Sequence, residues 1–168
     1  MGEDDLVGAD GCYWLHLPDG TRVDVEVALQ AALVAEQHVE HDPTLAKTQA
    51  ITALDLTSRP FLPGVHGPWV QSTRDRLARS RARALRALAS LHLRTGDPDR
   101  AVRAARDAVE IEPLQEVNAR LLMRAHNASG ERAQALRVYE RYRTHLAAEL
   151  GVDPSRRTRN LHLQLLKG

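Results

Sequence analysis

Gly96 and Gly130 stand 34 residues apart, and each falls in a gap between two stretches of helical periodicity. At the same offset Leu85 aligns with Ala119, Leu88 with Leu122, His92 with His126, Ala101 with Ala135 and Val102 with Leu136. A chain that repeats a helix–turn–helix unit in this way has few folds open to it. Each hairpin carries an apolar face that it cannot bury alone, and small residues where the helices cross let the next hairpin close over that face. A further hairpin precedes these two. At a shift of 55 residues Asp42-Pro43 falls on Asp97-Pro98, and Ala46, Ala50 and Ala53 fall on Ala101, Ala105 and Ala108.

A 34-residue period of this kind is the tetratricopeptide pattern. The predicted fold is therefore all-α, a tetratricopeptide-like array of about three helical hairpins plus a terminal helix. Composition agrees: 43% of the 168 residues are hydrophobic but only 4% are aromatic, which suits helices packed through Ala and Leu better than a sandwich or barrel. Punctuation divides the chain into seven helices. Asp24 is expected to cap the first, which runs to about Glu40 with Val27, Leu29, Leu33 and Val34 on its inner side. Asp42-Pro43 opens the second, which ends near Leu56. Two prolines and two glycines exclude helix from Ser58 to Gly67. Longer helices follow from Pro68 to Thr95, from Pro98 to Pro113, from Leu114 to Ser129 and from Glu131 to Leu150, and the last begins near Ser155. At the positions of Ala105 and Ala108 the third hairpin has Tyr139 and Tyr142, so its end is expected to pack on the terminal helix through Leu161, Leu163, Leu165 and Leu166.

The first 24 residues differ. Cys12 to Leu17 alternates like a strand, Pro18-Asp19-Gly20 signals a turn, and Thr21 to Val25 is suited to return as a second strand. A lone hairpin is marginal in water and needs a surface to pack on.

The run Glu112-Pro113-Leu114, then Leu122-Met123-Arg124-Ala125, Ala135 to Tyr142 with its Tyr-Glu-Arg-Tyr, and Glu149-Leu150-Gly151-Val152-Asp153-Pro154-Ser155 closely resembles the bacterial transcriptional activator domain. That domain occurs in actinobacterial antibiotic regulatory proteins. The likeness extends upstream through Leu62-Pro63-Gly64 and Trp69-Val70. The resemblance implies a tetratricopeptide-like domain over residues 25–168, and over residues 1–24 a β-hairpin resembling the end of a winged helix. It implies a regulatory and interaction role in transcription activation, by self-association (a homodimer is one form) or by contact with RNA polymerase. The winged helix's recognition helix would lie upstream of Met1, so DNA contact is expected only through a domain this chain lacks. The alternative is a stand-alone scaffold that binds an acidic peptide.

Charge sharpens both readings. The formal net charge is +1, yet residues 1–60 hold eleven acidic and three basic side chains, and residues 61–168 eleven acidic and twenty basic. Either the halves pack together or the basic half meets an acidic partner. Arg74, Arg76, Arg79, Arg81, Arg83, Arg86 and Arg94 wrap the long helix, a pattern that a solvated face also produces. A narrower set is expected on the concave side, where the first helices of successive hairpins lie. Arg86 and Arg120 are equivalent at the 34-residue offset, as are Ser90 and Arg124, with Arg83 and Asn127 on the same side. The planar guanidinium fork suits carboxylates, so these residues are candidates for holding an acidic segment. The same groove could equally be filled by the chain's own acidic half.

Catalytic and cofactor chemistry finds no support. His38 and His41 share a helix face without a third ligand at suitable spacing, and His92 and His126 recur with the repeat as packing or groove positions. Cys12 is the single cysteine, which excludes an internal disulfide, and it has no base beside it to make a nucleophile. No phosphate-binding loop, nucleophile elbow or zinc-protease helix occurs. The start is acidic, and no apolar run approaches the ~18 residues that a membrane span needs. A cytoplasmic, non-enzymatic protein without membrane or cofactor is expected.

Overall fold

The computed structural model describes residues 6–9, 12–15, 18 and 20–167. Among the described residues seven helices carry the fold: α1 (Asp24–His38), α2 (Pro43–Leu56), α3 (Pro68–Arg94), α4 (Pro98–Ile111), α5 (Glu116–Ala128), α6 (Arg132–Leu150) and α7 (Arg156–Lys167). They follow one another as antiparallel hairpins, α1 on α2, α3 on α4 and α5 on α6, with α7 packed across α5 and α6.

The three hairpins are built alike. Asp42 and Asp97 each accept a hydrogen bond from the backbone N–H three residues on, and a proline follows each at the first helical position. At the two later turns the chain leaves its helix through Gly96 (φ +74°) and Gly130 (φ +80°). The next N–H reaches back over the turn, Asp97 to the His92 carbonyl at 2.9 Å and Glu131 to the His126 carbonyl at 2.8 Å. Ala46, Ala101 and Ala135 then occupy the same helix crossing, all wholly buried.

Two apolar clusters share α3 as a common wall. Ala84, Ala87 and Leu91 face α1 and α2, where Ala31, Ala32, Ala35, Ala46, Ala50 and Ala53 meet them. Leu85 and Ala89 turn the other way, into a larger cluster that contains Leu122, Met123, Val138, Tyr139 and Leu165. A helix lined with alanine can approach its neighbours closely on both sides, which is how a chain so poor in aromatics still closes its core.

Four details depart from the sequence reading. The expected pairing of Cys12–Leu17 with Thr21–Val25 does not form. The strand Cys12–Leu15 (β2) pairs instead with Leu6–Ala9 (β1), antiparallel, with Leu6 opposite Leu15; residues 16 and 17 lie outside the described ones. The Thr21 N–H and hydroxyl both donate to the Pro18 carbonyl, and the chain passes straight into α1. Asp24 and Glu26 are consumed in its first turn, where the helix dipole favours acids. Asp24 is also not the cap: Val23 holds that position without a side-chain bond. On α1 the fully buried side is Ala28, Ala31, Ala32 and Ala35, while Val27, Leu29, Leu33 and Val34 are half-buried, because the neighbouring helices come too close for larger groups at the crossing.

The terminal helix is the fourth. It buries Thr158 and Leu165, with Leu161 half-buried, whereas Leu163 and Leu166 are about half exposed (53% and 49%). Positions 158, 161 and 165 share one helical face, and 163 and 166 fall beyond it. Of the two tyrosines only Tyr139 meets α7, stacked on His162 with ring centroids 3.8 Å apart. Tyr142 turns away and donates to the Leu114 carbonyl at 3.1 Å.

Candidate functional site

The long helix α3 spends most of its arginines inside the molecule. The guanidinium of Arg74 donates to the carbonyls of Phe61, Leu62 and Val65 and fastens the proline-rich connector, while Arg81 donates to the Leu54 carbonyl. Arg83 and Arg86 both pair with Glu36 of α1, at 3.0 and 3.2 Å, and Arg94 pairs with Glu40. In the Arg83 contact the Nε–H misses hydrogen-bond geometry, so that pair is one of charge alone. The imbalance between the halves is thus met in part by packing: Glu36 on α1 and Glu40 in the turn after it lie against arginines on α3. Arg76 and Arg79 remain exposed.

Arg86, Ser90, Arg120 and Arg124 line one cleft of about 270 Å³, together with Glu36 from α1, Glu40 from the turn after it, Arg157 from α7 and the apolar Val39 and Leu121. Arg83 and Asn127 lie outside it. The four arginines inside fall into two classes. Arg86 and Arg120 are each only 13% exposed and already bonded. Arg86 also reaches Glu112 at 3.0 Å and the Asn118 amide oxygen at 3.3 Å, and Asn118, wholly buried, donates to the Ala108 and Glu112 carbonyls at the end of α4. Arg120 bonds Glu116 at 3.2 Å and the Thr158 hydroxyl at 2.9 Å. These repeat-equivalent arginines clamp successive helices. Arg124 and Arg157 are exposed and make no ion pair among the described residues.

Electrostatics separates the classes further. Burial pushes the Arg120 guanidinium down from its ordinary value, Arg157 pushes it the same way, Glu116 opposes, and Arg124 lowers it again. Three cations crowd one wall with one carboxylate between them, an arrangement that an added anion would relieve.

Glu116 is the residue that sequence reasoning passed over. It accepts bonds from the Ser155 N–H (2.8 Å), from the Ser155 and Thr158 hydroxyls, and from Arg120. The preceding Gly151 closes α6 in the left-handed region (φ +67°), and Pro154 is buried. The Gly-Val-Asp-Pro-Ser segment therefore delivers Ser155 to Glu116 and pins the start of α7. Burial pushes the Glu116 carboxyl up, but the bonds from Ser155 and Thr158, with Arg120 beside them, outweigh it and hold the carboxyl below its ordinary value of 4.5. A depressed carboxylate stabilises the fold above its unfolded value, and that contribution disappears as pH falls through the folded value. Thermal melts from about pH 6 to about pH 3 are therefore expected to drop less steeply for Glu116→Gln than for the wild type, the difference opening below about pH 4.5. Parallel acid limbs would remove Glu116 as the fastening point.

His38 and His126 are engaged within the fold, whereas His41 is exposed in the turn beyond α1. His38 donates to the Val34 carbonyl at 2.9 Å, and the buried His126 ring bonds Glu131 at 2.7 Å. Among the described residues no group of three or more His, Cys, Asp or Glu is arranged to hold a metal ion, and no helix is long and apolar enough to cross a membrane.

The family model described as the bacterial transcriptional activator domain matches residues 23–166, the whole helical array. This chain belongs to the bacterial transcriptional activator domain family. Among relatives of this activator domain, the regulatory protein AfsR of Streptomyces coelicolor is 38% identical over 164 residues and that of Streptomyces griseus 32% over 168. The matches take in 96% and 99% of the chain but only 16% and 17% of the relatives' length. Mycobacterium tuberculosis EmbR, solved in complex with a low-affinity phosphopeptide, has the same fold with a TM-score of 0.79 at 22% identity, over 97% of this chain and 43% of that one. The C-terminal tetratricopeptide-containing domain of a Plasmodium falciparum FK506-binding protein follows with a TM-score of 0.62 at 13% identity, over 86% and 89%. The activator domain is a module of transcriptional regulators and is not catalytic.

Proposed function

We propose that this activator domain is the regulatory interaction module of its regulator and takes an acidic protein segment in the cleft between α1, α3, α5 and α7. One observation carries the reading: among the described residues Arg124 and Arg157 enter that cleft without carboxylate partners, beside Arg86 and Arg120, whose charges are already met. A guanidinium fork gives a carboxylate two hydrogen bonds, and the apolar Val39 and Leu121 offer contact for the residues between. The acidic segment belongs to RNA polymerase or to a second copy of the regulator. The antiparallel pair of β1 and β2 supports reading residues 1–24 as the end of a winged helix, through which a longer regulator would reach DNA.

The test uses Arg124→Glu together with Arg157→Glu. Arg120→Glu is unsuitable, since a second carboxylate against Glu116 would break the α5–α7 joint. Charge reversal at the two exposed positions is expected to weaken binding of a labelled Asp/Glu/Leu peptide by about tenfold or more, with the melting temperature nearly unchanged. Binding to RNA polymerase holoenzyme and sedimentation of the chain, measured alongside, tell the two sources apart. Wild-type affinity in the double variant for peptide, polymerase and self would overturn the proposal.

A further inference from the structure

On the opposite side of α5 lies a second cavity, separate from the arginine cleft. Helices α4 and α6 each pack on α5 while their backbones stay apart, and between them stands a groove of about 510 Å³. That is ample for a compact organic molecule, since small-molecule sites span roughly 300–1,000 Å³. Its floor is Ala119 and Leu122, and Val109 and Val138 face it from the two walls.

The polar groups of this groove stand along its two walls. Glu131, at one end, is engaged by the buried His126 at 2.7 Å. Glu110 stands on the α4 wall, one turn from Arg106. The α6 wall carries Arg141 and His145, again one turn apart, and Arg141 makes no ion pair among the described residues, because its neighbour Glu140 is held by Arg143 at 3.0 Å. Between those two, the Tyr142 phenol is tied to the Leu114 carbonyl, and burial, with Glu116 adding to it, pushes its pKa up to about 12. It stays neutral and brings no negative charge to that wall. The groove thus has an apolar floor, with Arg141 an uncommitted cation on the α6 wall and Arg106 beside Glu110 on the α4 wall.

We propose that the α4–α6 groove binds a small amphipathic carboxylate, its apolar body on Leu122, Val109 and Val138 and its carboxylate on Arg141. A ligand there would touch α4, α5 and α6 together, and would change how firmly α4 and α6 are held apart. This site is independent of the acidic-segment reading, since none of the residues named for the ligand lines the arginine cleft.

The probes are naphthoate and its neutral counterpart naphthalenemethanol, titrated into the chain and followed by amide NMR. Naphthoate is expected to give saturable shifts confined to the residues around Val109, Leu122 and Val138, and to bind about tenfold or more tighter than the alcohol. Arg141→Gln, a change at an exposed position, should abolish that preference and leave alcohol binding intact. Val109→Trp, which fills the groove from its half-buried rim, should abolish both. Equal binding of acid and alcohol, a preference that survives Arg141→Gln, shifts centred on Arg124 and Arg157, or no binding of either probe at about 1 mM would each overturn the assignment.

Discussion

Met123→Ala is expected to destabilise the domain by about 2–5 kcal/mol, the range for emptying a fully buried large aliphatic site. Among the described residues Met123 is the largest wholly buried side chain, and it lies in the cluster where α3, α4, α5 and α6 meet. Its methylenes and sulfur fill space that the neighbouring alanines cannot reach. Ala89, Ala101, Ala105, Ala125 and Ala135 are all wholly buried in the same cluster, and these short side chains cannot close the hole. For a chain of this size that cost corresponds to roughly 5–15 °C in melting temperature. Met123→Leu, which keeps the volume, is expected to cost less than about 1.5 kcal/mol. Calorimetry of the two variants checks both statements, and equal melts would show that the site relaxes around the loss.

The opposite error is expected at the helix crossings. Ala101→Leu and Ala135→Leu should each destabilise by about 1–3 kcal/mol, because the added atoms have no space to enter and must spread the hairpin. Both alanines are wholly buried at equivalent places in successive hairpins. Ala133→Leu, two residues from Ala135 but on the exposed face of α6, serves as the control and should move stability by no more than about 0.5 kcal/mol. The contrast between Ala133 and Ala135 tests the register of the repeat directly. Melts in which all three variants agree would mean that the 34-residue alignment pairs the wrong positions.

The candidate cleft was half legible. The repeat offset that relates Arg86 to Arg120 and Ser90 to Arg124 brought all four to one surface, since equivalent positions in stacked hairpins necessarily line the same side. It could not say which guanidiniums were already occupied. That depends on Glu36, Glu112 and Glu116, and on where each carboxylate arrives in space. Glu36 is fifty residues from Arg86 and carries no motif of its own. Glu116 had one available signal, a carboxylate in the first turn of α5, but its partners Ser155 and Thr158 lie on a helix whose docking angle no local pattern encodes. Arg157 was missed for the same reason. It joins the cleft only because α7 folds back across α5.

What the sequence alone determined is the set of helices, their order and their hairpin pairing. Those follow from short-range physics: a proline at the first helical position, a glycine free to adopt positive φ just past the last, an aspartate that caps three residues ahead, and small side chains spaced to let helices cross. Tertiary structure decided the strand pairing at the N-terminus, the inner face of α1, the division of arginines into clamps and free charges, and the groove left open between α4 and α6. Each of these depends on how close two distant segments come. Side-chain volume, charge pairing and desolvation are settled across that gap, and spacing along the chain carries no record of it.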